Sequence, residues 1–193
     1  MPKRLLVKII GEQGFHRMGR ETIDSSFQQL YGNPCWGLRY DRQLNLSMNF
    51  GVPSLDIREP FTTDSSSETV QQMAARRRVT VRGEWFLWIY QCYWSLNSAE
   101  RQLATGASSY RRIERAMSQL EGQKLVSIAI DPETCATRFA FDLGCVLKCR
   151  RFEPGSEQEL WMLYEPRGFV LSVCGNGQIN QQQGTEKARP HGR

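Results

Sequence analysis

Apolar and polar positions alternate through much of the chain. Leu44, Leu46, Met48 and Phe50 interleave with Gln43, Asn45, Ser47 and Asn49, the period of a strand with one buried face. The same grammar predicts strands over residues 5–10, 36–40 and 54–58. Ile23, Phe27, Leu30 and Tyr31 follow helical spacing instead, and Gly32-Asn33-Pro34 stops that helix. Residues 62–69 hold no apolar side chain and read as a linker, with a short helix expected over 70–76. From Trp85 to Trp94 both alternating sets are large and mostly apolar. That pattern predicts one central strand covered on both sides, rather than an exposed platform on which bases stack.

A second helix is expected after Ser108 or Ser109 as its cap. Tyr110, Ile113, Met117 and Leu120 form its apolar stripe, and Gly122 ends it. Short strands then recur over 124–130, 137–141, 146–151, 160–164 and 169–173, separated by turns such as Glu153-Pro154-Gly155-Ser156. Such short connections imply antiparallel pairing. Residues 175–193 carry almost nothing apolar and read as a disordered tail.

These elements predict an α+β fold, mainly antiparallel sheet with a C-terminal β-meander and two principal amphipathic helices. The expected organisation is an αβ half over 1–61, a polar linker and short helix over 62–78, and an α+β meander half over 79–174. The two halves pack as one domain. Leu46 to Phe50 followed by Gly51, and Phe139 to Leu143 followed by Gly144, share one pattern leading to a second strand ending in Arg. A glycine there suits a tight hairpin in both places, by convergence or by duplication.

Composition narrows the function. Hydrophobic residues make up 40% and aromatics 10%, enough buriable surface for a folded core. No apolar run approaches the ~20 residues of a membrane span, and Met1-Pro2-Lys3-Arg4 leads into too short an apolar run for an export signal, so a cytoplasmic location is expected. The net charge is +5 and the pI near 9.0, a mildly basic balance that permits phosphate contact without demanding it.

Cys35, Cys92, Cys135, Cys145, Cys149 and Cys174 lack the spacing of a zinc knuckle or thioredoxin-type site. Cys145 and Cys149 would sit about 13 Å apart along a straight strand, too far to bridge. Structural free thiols are expected. The two histidines are His16, expected in a surface loop, and His191 in the tail, so a His-dependent nucleophile pair has little support. Gly11-Glu12-Gln13-Gly14 lacks the ending of a phosphate-binding loop and reads as a turn. Asp142 and Glu84 are the carboxylates that partial burial could turn into acids or bases.

Three basic groups stand out: Arg76-Arg77-Arg78, the helix face Arg111, Arg112 and Arg115, and Lys148, Arg150 and Arg151. If they converged they could contact a partner or several phosphates. Leu120-Glu121-Gly122-Gln123-Lys124-Leu125, the Phe139–Leu147 stretch and Glu159-Leu160-Trp161 resemble those of small, uncharacterised bacterial β-rich proteins, some of them immunity-like. The resemblance implies a cytoplasmic protein that acts by binding a partner, without a cofactor, and the cysteine spacing and histidine count separately predict no metal site. The expected function is therefore a non-catalytic protein-binding module, such as an immunity-like inhibitor or a subunit of a bacterial defence complex. Nucleic-acid association through the Arg-rich groups is the alternative.

Overall fold

The computed structural model describes residues 12–41, 45–99 and 101–184. The expected strand over 5–10 and His191 lie outside them. Among the described residues the first element is helix α1 (Glu12–Leu30), whose Ile23, Phe27 and Leu30 are buried as their spacing requires. The backbone from Glu12 through His16 is helical, which corrects both the turn expected at Gly11–Gly14 and the loop expected at His16. Gly19 lets α1 approach the C-terminal sheet edge, since a Cβ there would stand 2.7 Å from Ile179 Cδ1.

Next come β1 (Trp36–Tyr40), β2 (Leu46–Phe50), β3 (Ser54–Arg58), α2 (Glu68–Ala74), β4 (Arg78–Arg82), β5 (Trp85–Ile89), β6 (Tyr93–Ser98) and β7 (Arg101–Thr105). They are followed by α3 (Tyr110–Leu120), β8 (Leu125–Ile130), β9 (Thr137–Phe141), β10 (Cys145–Arg150), β11 (Glu159–Tyr164), β12 (Phe169–Cys174) and β13 (Ile179–Gln183). The fold is β-rich α+β with antiparallel pairing. A six-stranded sheet runs β1-β2-β5-β11-β12-β13, a five-stranded sheet runs β7-β6-β10-β9-β8, and β3 and β4 form a ribbon of their own.

Both large sheets, α1 and α3 share one hydrophobic core. Phe27 of α1, Phe139 of β9 and Trp161 of β11 meet there, with centroids 5.6–6.0 Å apart. The Trp161 indole N–H donates to Thr137 Oγ1 at 2.9 Å and ties the two sheets together. Helix α3 buries Ile113, Ala116 and Leu120, whereas Tyr110, expected in its apolar stripe, is exposed. Ser109 sits at the N-cap position without a side-chain capping bond, and the Ser108 hydroxyl instead accepts from Thr105 N–H.

Several expectations need correction. The run from Trp85 to Trp94 is two strands in different sheets. The chain turns between them at Gln91, whose φ is +40°. The disordered tail expected over 175–193 is corrected where it is described, because Ile179–Gln183 pairs with β12 and gains a ladder of backbone bonds from a neighbouring edge, while residues 185–193 lie outside the described residues. The C-terminal strands are split, with β8, β9 and β10 consecutive in one sheet and β11, β12 and β13 in the other. The two glycine-centred patterns also differ. Gly144 joins paired strands β9 and β10, whereas Gly51 releases the chain from β2 into the β3–β4 ribbon. Strand β2 pairs with β5, so strands on either side of residues 62–69 share one sheet.

Candidate functional site

Two surfaces carry unusual chemistry. The first is the arm formed by residues 52–82, in which only Ala74 is buried. Its root is fixed by backbone and side chain together. Gly51 has a φ of +76°, Val52 N–H donates to Glu84 Oε2 at 3.0 Å, and Gly83 N–H donates to Asn49 Oδ1 at 3.1 Å. No side chain fits at position 83, where a Cβ would lie 2.5 Å from the Phe50 carbonyl oxygen. Glu84 is thus an exposed clamp on the arm.

Within the ribbon, Leu55 faces Val81 and Ile57 faces Val79. These four side chains are 65%, 50%, 53% and 53% exposed. The opposite face holds the polar residues and is the less exposed one, with Asp56 bridged to Arg82 at 2.7 Å and accepting from Thr80 Oγ1 at 3.4 Å. An isolated amphipathic ribbon normally does the reverse. Val52, Phe61, Val70 and Met73 add further exposed apolar surface, so the arm carries more than half of the large exposed hydrophobic side chains among the described residues. Its far end is braced by Arg77 on Glu59 at 2.8 Å, by the Arg58 guanidinium 4.2 Å over the Phe61 ring, and by Phe61 N–H donating to the Ala74 carbonyl.

The second surface is the outer face of the five-stranded sheet. Alternation sends Trp94, Leu96, Phe139, Leu147 and Cys149 inward, leaving Tyr93, Ser95, Asn97, Arg138, Lys148 and Arg150 outward. Register then places Thr105, Ser95, Lys148 and Arg138 side by side across four strands, with Tyr93 opposite Arg150. The Arg150 guanidinium lies 5.1 Å over the Tyr93 ring, and Phe152 meets the same ring edge-on at 4.4 Å. A cleft of about 530 Å³ opens here, lined by Tyr93, Ser95, Gln102, Arg138, Lys148 and Arg150 among others. Strands β6 to β10 contain no Asp or Glu.

The three basic groups therefore do not all converge. Arg76, Arg77 and Arg78 lie at the end of α2 and the start of β4, on the arm. Arg77 is held by Glu59, and Arg78 sits across from Arg58. On α3, Arg112 donates from Nε to the Leu103 carbonyl at 2.6 Å and from a terminal nitrogen to the Gln102 carbonyl at 3.2 Å, closing off β7. Arg115 lines a cleft of about 240 Å³ with Arg101 and Arg112, and Gln102 borders both this cleft and the larger one. Arg111 is exposed on α3. Lys148 and Arg150 share the sheet face, but Arg151 turns away and donates to the Gly175 carbonyl at 2.8 Å. Arg138 completes the basic face and was missed in the sequence, where residues 137–141 read only as a strand. Its alternation with Phe139 already put it outside. Only the pairing puts it beside Lys148.

No family model, curated protein or solved structure matches the chain.

The carboxylates singled out in the sequence have structural work. Asp142 accepts from Lys124 N–H at 2.8 Å, as Glu84 does from Val52, and neither borders the larger clefts. A cavity of about 590 Å³ between α1, β8 and the β12–β13 edge is lined by Ile23, Ile128, Ile130, Val173 and Ile179, with Asp24 and Asp131 among its polar groups. Asp131 is committed to its own turn. Two hydrogen bonds from Thr134 and one from Glu133 N–H hold its carboxyl below the usual range. Among the described residues, no helix is long and apolar enough to cross a membrane.

Proposed function

We propose that the chain is a non-catalytic protein-binding module, an inhibitor or complex subunit of the immunity-like kind, that docks its protein partner through the 52–82 arm. The observation that carries this reading is the inverted ribbon, with Leu55, Ile57, Val79 and Val81 turned to solvent and the polar face partly covered. Covering each half-exposed aliphatic side chain is worth roughly 1–2 kcal/mol, on the order of 4–8 kcal/mol for the four. Association itself costs about 4–15 kcal/mol, so the apolar face alone holds a partner weakly. The ribbon has a further resource. Among the described residues each of its strands has one neighbour and therefore one open edge, to which a partner strand can add backbone hydrogen bonds.

The test is native mass spectrometry of the untagged protein from its own host, beside the double variant Leu55→Lys, Val81→Glu, which sets opposite charges across the ribbon. Both positions are exposed, so the variant should keep its melting temperature. The expected result is a stoichiometric second polypeptide in the wild type that is absent from the variant. A partner retained by the variant, a wild-type monomer, or a complex made only of this chain would each overturn the reading.

A further inference from the structure

We infer that the outer face of the five-stranded sheet binds single-stranded nucleic acid, with Tyr93 and Phe152 stacking on bases and Arg138, Lys148 and Arg150 contacting phosphates. This goes beyond partner binding by the arm and stands independently of it, because no arm residue lines this face.

The face carries a local electrostatic cost. Lys148 and Arg138 are direct cross-strand neighbours, and like charges so placed destabilise a sheet. A carboxylate on β6, β8 or β9 would relieve that repulsion, yet the five strands contain none. Among the described residues neither side chain has an ion-pair partner. An uncompensated cation pair on a rigid sheet is a ready site for an anionic ligand. Arg150 extends it, two residues from Lys148 and so about 7 Å along the strand.

Charge alone would suit any polyanion. The rings narrow the choice. Tyr93 and Phe152 are 51% and 38% exposed beside these cations, and the planar Arg150 guanidinium over Tyr93 is itself a stacking surface. Aromatic and guanidinium planes next to a basic track are what unpaired bases require. Asn97 and Gln102, opposite each other on β6 and β7, supply amides able to bond base edges. A duplex keeps its bases stacked on one another and presents no free base plane, so the ligand is single-stranded. An acidic protein would use the cations and leave the rings idle.

The experiment is fluorescence anisotropy of the full-length protein with a labelled oligothymidylate of about ten nucleotides, a typical single-strand site size. With three phosphate contacts, the logarithm of affinity should fall against the logarithm of salt with a slope near −2, at about 0.7 per contact. Arg138→Gln should reduce that slope by about 0.7. Tyr93→Ala should weaken binding about tenfold and leave the slope unchanged. Both side chains are exposed, and unchanged melting verifies the fold; Phe152→Ala provides a second ring variant. The inference is overturned by no binding at about 50 mM salt, by affinity indifferent to both ring variants, or by equal binding of a polyglutamate peptide, which would mark an acidic-protein site instead.

Discussion

The Cys35 thiol lies fully buried at the end of α3, where it donates to the Leu120 carbonyl at 3.1 Å. Burial, with the nearby Glu121 carboxylate adding to it, pushes its pKa up to about 12. In the unfolded chain a thiol loses its proton near pH 8.5. Between those values the unfolded state binds fewer protons than the folded one, so stability falls as pH rises. The effect is absent below about pH 8.5, and within the window it amounts to about 1.4 kcal/mol per pH unit. Cys135, Cys145, Cys149 and Cys174 are also shifted upward, each chiefly by burial, and steepen the same decline. Denaturant titrations should therefore show stability dropping from about pH 9 toward 11, and Cys35→Ala should make that drop shallower by up to about one proton. Parallel curves for wild type and variant would refute the assignment. The spacing of the six cysteines predicts structural free thiols, and all six are free and buried. Their environment is another matter. Glu121 is far from Cys35 in the chain, and only the packing of α3 beside β1 makes them neighbours.

At the scale of elements, legibility follows how local the determining interaction is. Helix α1 buries the face its spacing names, and β1, β3 and β9 have the bounds their patterns predict. Trp85–Trp94 is misread because inward-facing side chains look alike in either sheet. Nothing in Gln91 announces a turn, since glutamine is not a turn former. The left-handed backbone is imposed by the need to carry the chain from β5 to β6, with Gln91 N–H directed at Asn45 Oδ1 at 3.5 Å. Strand β13 is polar throughout except Ile179 and becomes a strand because β12 offers it an edge. The apolar alternation of β4 is visible in Arg78-Val79-Thr80-Val81-Arg82, but the pattern does not say that its apolar side faces solvent. Gln91 affords a direct check. A left-handed conformation costs a non-glycine residue about 1–2 kcal/mol, and glycine gives back part of the gain through its freer unfolded chain. Gln91→Gly should stabilise the protein by about 0.5–1 kcal/mol in urea titration. A loss of stability would show that the Gln91 side chain makes a contact worth more than the strain.

The whole molecule divides its labour between a shared core and an excursion that barely joins it. Pairing order and the separation of the two sheets depend on contacts distant in sequence, so neither they nor the two candidate surfaces could be read from local patterns. The residues of the basic face come from β6, β7, β9 and β10, and the arm is recognisable only once β2 is seen to pair with β5 across it. That pairing makes the arm removable. Phe50 and Trp85 are direct partners, so joining Gly51 to Gly83 would connect β2 and β5 through Gly51-Gly83-Glu84, a three-residue hairpin loop with glycines where a tight turn needs them. Deleting residues 52–82 removes one buried side chain, Ala74. It also shortens the closed loop by more than three doublings, worth up to about 2 kcal/mol in closure entropy. The shortened protein should therefore fold with a melting temperature within a few degrees of the full chain. It should lose the protein partner captured by the arm and bind the labelled oligothymidylate as before. Loss of both activities from a folded product would show that the surfaces form one site. Failure to fold, despite the intact β2–β5 register, would place the arm among the elements that hold the core together.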